Sequence, residues 1–325
     1  MTDQASPTAK APATASKSPS TSPKGSDAGS PKEGSPRAAA TIAGILPAQH
    51  WVDTAEEQEV DSTDAESIGS IGTSTESLTA SILEYRKIHG RTYHSEIGNA
   101  SYCDFADDHP NIQVIGTDIS PIQPAWAPPN LKFEIEDCTR PWTYEPESFD
   151  YIHMRWLLGS IGNWEAAFTE AYKALKPGGW LESFEASNIC ESDDDTVAET
   201  SALGQWGKIF LNFGESIGRP FSIVPDETQK KAMQVAGFVD IDEANYKTPV
   251  GTWPKDPALK EIGQYAQLVL ENDTEGYILY PATAIGWTPQ EVSVFAAHVR
   301  KAIRSPQIHS YYRQKVVWGR KPGGA

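Results

Sequence analysis

The sequence predicts an α/β protein built on a doubly wound sheet with an antiparallel edge. Three observations carry this. Short apolar runs, "NIQVIGTDIS" (111–120), "LKFEIED" (131–137) and "FDYIHM" (149–154), alternate with helical patterns such as "NWEAAFTEAYKALKPGG" (163–179). The first two runs carry an acid at or near the carboxyl end, the side on which open α/β sheets bind ligands. The two closing extended stretches, "FVDIDEANYKTPV" (238–250) and "YYRQKVVWGRKP" (311–322), are separated by helices and are expected to form the antiparallel edge.

In chain order, residues 6–40 are Ser/Pro/Ala/Lys low complexity with five Ser-Pro steps, too poor in apolar residues to fold. Residues 41–85 hold nine acids and no Lys or Arg. Residues 1–76 are therefore expected to be a disordered tail, and 77–325 the folded domain. Leu78, Ile82 and Tyr85 recur at helical spacing, with Gly90 where a C-cap belongs. In 131–137, Leu131, Phe133 and Ile135 alternate with Lys132, Glu134 and Glu136, the mark of a half-buried strand. Asn163 caps the next helix, whose Phe168, Ala171, Tyr172 and Leu175 share a face. The Pro177-Gly178-Gly179 turn then feeds the strand "WLESFEA" (180–186). Further helices are expected near 196–217, 225–236 (closed by Gly237), 256–272 and 288–304. The last opens on Thr288, Pro289 and Glu291, a capping box with proline in the first turn.

One part is missing. A strand ending in a nucleotide-holding acid normally follows another strand whose Gly-rich turn cradles the ligand. Upstream of Asn111 stands "YHSEIGNASYCDF" (93–105) instead. The "GSIG" at 69–72 has no apolar strand leading into it, so it lacks the context of such a loop. The domain reads as truncated internally near 98–104.

Bulk properties exclude several classes. The formal charge of −17 opposes direct binding to nucleic-acid phosphates. Cys103, Cys138 and Cys190 lie far apart without ligand spacing, so neither a zinc site nor a disulfide framework is expected. No apolar run approaches the ~18 residues of a membrane span. The apolar patch at 38–46 is too short and too far along the chain for a signal peptide.

The chemistry-bearing positions cluster at strand ends. Asp118 can accept two hydrogen bonds from a ribose diol, or can merely cap its own turn. Asp137, followed by Cys138, can accept from an exocyclic adenine amine while the next backbone N–H donates to the ring. His153, Arg155 and Trp156 sit at or just past the third strand end and face the same crevice. No Walker loop or G-x-G-x-x-G occurs, and no catalytic nucleophile or base is assigned.

In this order, "GTDISPIQP", "EDCTRPW", "FDYIHMRWLLGSIGNW", "ALKPGGWLE" and "KTPVGTWPKDPALKEIGQY" resemble the class I S-adenosylmethionine-dependent methyltransferases. More narrowly they resemble the fungal subfamily that contains the velvet-complex regulator of secondary metabolism, over roughly residues 77–322. The resemblance implies a Rossmann-like sheet and S-adenosyl-L-methionine as cofactor. It assigns Asp118 to the ribose hydroxyls, Ile119 to packing on the adenine, Asp137 to the adenine amine and the Cys138 backbone to the ring. His153, Arg155 and Trp156 become candidate substrate contacts. The implied acceptor is a small metabolite or a protein side chain, and a regulatory protein partner belongs to the subfamily's pattern. A cytoplasmic or nuclear location is expected.

In that family the first strand lies mid-sheet, between the Asp118 strand and "FDYIHM". Its loss leaves buried backbone groups unpaired at about 1–3 kcal/mol each, against a whole-domain stability of ~5–15 kcal/mol. The gap admits three origins: an omitted coding block, which is the favoured reading, a genuine loss in a catalytically silent scaffold, or a substitute built by "YHSEIGNASYC". Weak or absent cofactor binding is expected for the chain as it stands.

Overall fold

Apolar alternation and well-capped helices produce most of the expected elements. The computed structural model describes residues 44–61, 86–88, 91–93, 106–120 and 127–323, all within the unit Ala39–Ala325. For 56–61, 86–88 and 91–93 only the backbone is described. The strands are β1 (Arg86–Ile88), β2 (Arg91–Tyr93), β3 (Val114–Asp118), β4 (Leu131–Ile135), β5 (Phe149–Arg155), β6 (Leu175–Glu191), β7 (Val239–Pro249) and β8 (Tyr311–Arg320). The helices are α1 (Ala48–Asp61), α2 (Trp164–Ala174), α3 (Ala202–Ile217), α4 (Thr228–Ala236), α5 (Pro257–Asn272), α6 (Thr274–Ala284) and α7 (Pro289–Arg304).

Local chemistry explains the helix boundaries. The Asn163 side chain accepts from the Ala166 N–H at 3.0 Å, Ser201 from Gly204 at 3.1 Å and Asp256 from Leu259 at 3.0 Å. Each satisfies a donor that the first helical turn leaves free. Thr288 and Glu291 complete the reciprocal box at the start of α7. Gly237 closes α4 at φ 97°, a left-handed turn that costs glycine little.

The sheet is in two described pieces. β3 and β4 pair in parallel, with Val114 opposite Leu131 and Asp118 opposite Ile135. Gly116 faces Phe133, whose ring would lie 2.7 Å from any added Cβ, so the strands approach closely only because this residue is glycine. The second piece has the order β5-β6-β8-β7. β5 and β6 are parallel, and β8 runs antiparallel between β6 and β7, as the edge expectation requires. Among the described residues no strand joins β3 to β5. That break falls where the missing first strand would lie.

Helices α2 and α4 cover one face of the larger piece. Phe168, Ala171 and Met233 meet Met154, Leu181 and Val317 there. A second cluster joins α1, α3, α6 and α7 through Trp51, Ile209, Ile278 and Phe295.

Three expectations change. The stretch read as a tail to residue 76 contains α1, where Trp51 is 4% exposed and stacks edge-on against Phe295 at 5.0 Å. The Leu46 N–H donates to the buried Gln205 side chain at 2.8 Å, tying the approach to α1 onto α3. One Trp and one backbone anchor outweigh an acidic composition. The helix expected to close at Gly90 is absent over 86–88, which pair with 91–93 as an antiparallel hairpin. The rest of that helix pattern, the tail before residue 44, the 69–72 motif and the 94–104 gap region lie outside the described residues. Helix α3 begins at Ala202, later than residue 196, because Ser201 is the first side chain placed to cap it.

Candidate functional site

The register of β3 and β4 places the two predicted acids side by side. Asp118 pairs with Ile135, and the Glu136 N–H donates to the Asp118 carbonyl at 3.0 Å, carrying the pairing one residue past the strand. Asp137 follows directly. One Asp118 carboxylate oxygen accepts from the Ser120 N–H at 2.8 Å, and its other oxygen has no partner among the described residues. Thus the turn-capping role leaves one carboxylate oxygen open. Asp137 accepts from the Thr139 hydroxyl at 2.6 Å and N–H at 3.0 Å, and from Arg140 at 3.1 Å. These bonds, the Thr139 hydroxyl first, hold its pKa below the ordinary carboxylate value. Ile119 is 69% exposed beside them, a bare apolar surface at a strand tip.

Cys138 lies in the same neighbourhood. Burial pushes its thiol pKa up, and the charges of Asp137, Asp118 and Glu185 push it further. A single thiol that feels all three acids brings β3, β4 and β6 to one locus. It is a neutral wall rather than a nucleophile.

Glu185 was not anticipated. It is 1% exposed, and its carboxylate accepts from the Leu157 and Leu158 N–H groups at 3.0 Å. Burial outweighs those two bonds and raises its pKa to about 7. The bonds fix the turn after β5, where Trp156 sits at φ 57°, a conformation that bulky side chains adopt only under constraint. A signal was present: Glu185 shares strand parity with buried Leu181 and Ser183, so the pattern put an acid on the inward side.

The three substrate candidates separate. Arg155 and Trp156 line a cavity of about 800 Å³ between the sheet, α3 and α5. His153 does not line it. Its Nδ1 lies 2.9 Å from Glu182 on β6 and 3.5 Å from the Tyr151 hydroxyl, a satisfied structural pairing.

Asp118 and Asp137 fit the adenosine half of the implied cofactor: two carboxylates on adjacent strand ends, one with an unused oxygen, beside an exposed isoleucine. The Gly-rich turn that would meet the methionine half is not in the sequence. Among the described residues no group of His, Cys, Asp and Glu is arranged to hold a metal.

A mixed α/β sheet with acids at two adjacent strand tips is the arrangement of a class I methyltransferase fold. The chain belongs to the methyltransferase domain family, whose profile matches residues 97–243. It is 34% identical over 223 residues to "Secondary metabolism regulator LAE1" of Cochliobolus heterostrophus, covering 67% of this chain and 72% of that one. It is 37% identical over 221 residues to "Methyltransferase pytC" of Aspergillus terreus, covering 66% of each, just under two thirds of that relative's length. Among solved structures, Haemonchus contortus phosphoethanolamine N-methyltransferase 2 in complex with S-adenosyl-L-methionine superposes with TM-score 0.39 at 18% identity. The match covers 67% of this chain and 45% of that one.

Proposed function

We propose that this chain is an S-adenosylmethionine-dependent methyltransferase of fungal secondary metabolism, acting on a small metabolite or a protein side chain. One observation carries the reading: the parallel register that sets Asp118 and Asp137 on neighbouring strand tips, with Cys138 feeling both. When bound, S-adenosylmethionine supplies a methyl already activated on a sulfonium. Positioning then carries most of the rate, and no covalent enzyme intermediate is needed. Asp118 would orient the ribose through its free oxygen and Asp137 the adenine amine, with Ile119 against the ring. Glu185 holds the turn that presents Trp156, and Arg155 and Trp156 face the acceptor.

Calorimetry with S-adenosylhomocysteine tests this. The expected result is weak binding that disappears on Asp118→Ala. Tight binding indifferent to Asp118→Ala and Asp137→Ala would refute the site. A folded protein that releases no heat supports the second reading, a catalytically silent scaffold that acts through a regulatory partner. The observation favouring that reading is that no strand among the described residues joins β3 to β5. No helix among the described residues is long and apolar enough to cross a membrane, and a cytoplasmic or nuclear site of action is part of the proposal.

A further inference from the structure

The cavity beside Arg155 is walled by rings and aliphatic side chains in about equal measure. Trp206 and Phe210 enter from α3, Phe221 from the loop after it, Tyr265 from α5, Tyr277 from α6 and Tyr312 from β8. At about 800 Å³ it matches sites that enclose a drug-sized molecule. Cys190 adds a neutral wall, because burial pushes its thiol up to about 12.

Ser187, Asn188, Thr248, Glu261 and Gln314 also line it, and its two cationic groups are unevenly satisfied. Lys247 is held by Asp193 at 2.7 Å. Arg155 has no carboxylate partner among the described residues. Its guanidinium stands over the Phe184 ring at 5.4 Å and the Trp156 ring at 5.9 Å, and its Nε is buried without a hydrogen-bond partner. The Tyr265 hydroxyl is likewise buried and unpartnered. A buried donor left unmade costs about 1–3 kcal/mol. Both atoms are closed to the cavity as it stands, so an acceptor oxygen on a ligand removes that cost only with a small shift of the side chain.

We propose that this cavity binds a flat aromatic molecule bearing a hydroxyl, carbonyl or carboxylate oxygen, and that this is the methyl acceptor. The acceptor role rests on the methyltransferase reading. Ring walls favour an aromatic guest over an aliphatic one of equal area, because edge and stacked ring contacts add to simple burial. Close to Arg155, an unpaired guanidinium favours an oxygen acceptor on the guest. The cavity is also far wider than one protein side chain.

The test titrates the full chain with 3-hydroxy-2-naphthoic acid, decanoic acid and S-adenosylhomocysteine separately. The naphthoate is expected to bind about tenfold or more tightly than decanoate. Tyr265→Phe should weaken it about fivefold while leaving thermal stability unchanged or raised, since it deletes an unpaired hydroxyl. Val269→Trp, at an exposed lining position, should weaken binding by crowding the rim. If that variant does not fold, Tyr265→Phe alone decides. Decanoate binding as tightly as the naphthoate overturns the aromatic class, and indifference to Tyr265→Phe overturns the location. S-adenosylhomocysteine bound without the naphthoate overturns this proposal and leaves the methyltransferase reading standing. The naphthoate bound without S-adenosylhomocysteine supports the aromatic site and removes that reading instead.

Discussion

Glu185 concentrates the chemistry of the site in one side chain. The folded chain keeps its proton up to about pH 7, whereas the unfolded residue releases it near 4.5. Between those values the folded state binds more protons, so stability falls as pH rises through the interval, on the order of 3 kcal/mol in all. Urea unfolding at about pH 5 and about pH 8 should show this slope in the natural protein, and Glu185→Gln should flatten it. Parallel slopes in the two would mean that another group titrates. The strand-tip acids were legible in the sequence because an acid ending an apolar run is a local pattern. Glu185 needed the pairing of two strands to reveal what its carboxylate holds. The ring-lined cavity was illegible for a related reason. Trp206, Tyr265 and Tyr312 are brought together by helices and a strand far apart in sequence, and each looks like ordinary core by itself.

At the scale of elements, capping chemistry was the most readable layer. The reciprocal bonds of Thr288 and Glu291 were visible as a spacing, and Thr288→Ala should cost about 1 kcal/mol in denaturant unfolding. Helix α6 was missed because its apolar residues lie on all sides and Pro281 interrupts it, so no face stands out. Helix α1 was missed because one tryptophan was outvoted by its acidic neighbours. That residue also carries a test. Its indole packs on Phe295, and the His298 Nε2 lies 3.1 Å from its carbonyl. Trp51→Ala should cost about 3 kcal/mol and open 44–61 to limited proteolysis while β6 and β8 stay protected. An unchanged cleavage pattern would mean that the helix is held elsewhere.

The whole molecule is shaped by a sheet in two described pieces. β5 pairs with β6 alone among the described residues. Its outward backbone groups are those that a first strand would engage. In hydrogen exchange these β5 amides should lose protection far sooner than the amides of β6 and β8, which lie between partners on both sides. Equal protection across β5 and β6 would show that some other segment covers that edge, and would weaken the scaffold reading with it.

β8 comes latest of the eight described strands in sequence, yet it lies inside the larger piece, bonded to β6 on one side and β7 on the other. During synthesis, then, β6 and β7 wait with open flanks until β8 emerges. A chain cut short before β8 would have no centre to zip around and would be prone to sticking to its own copies.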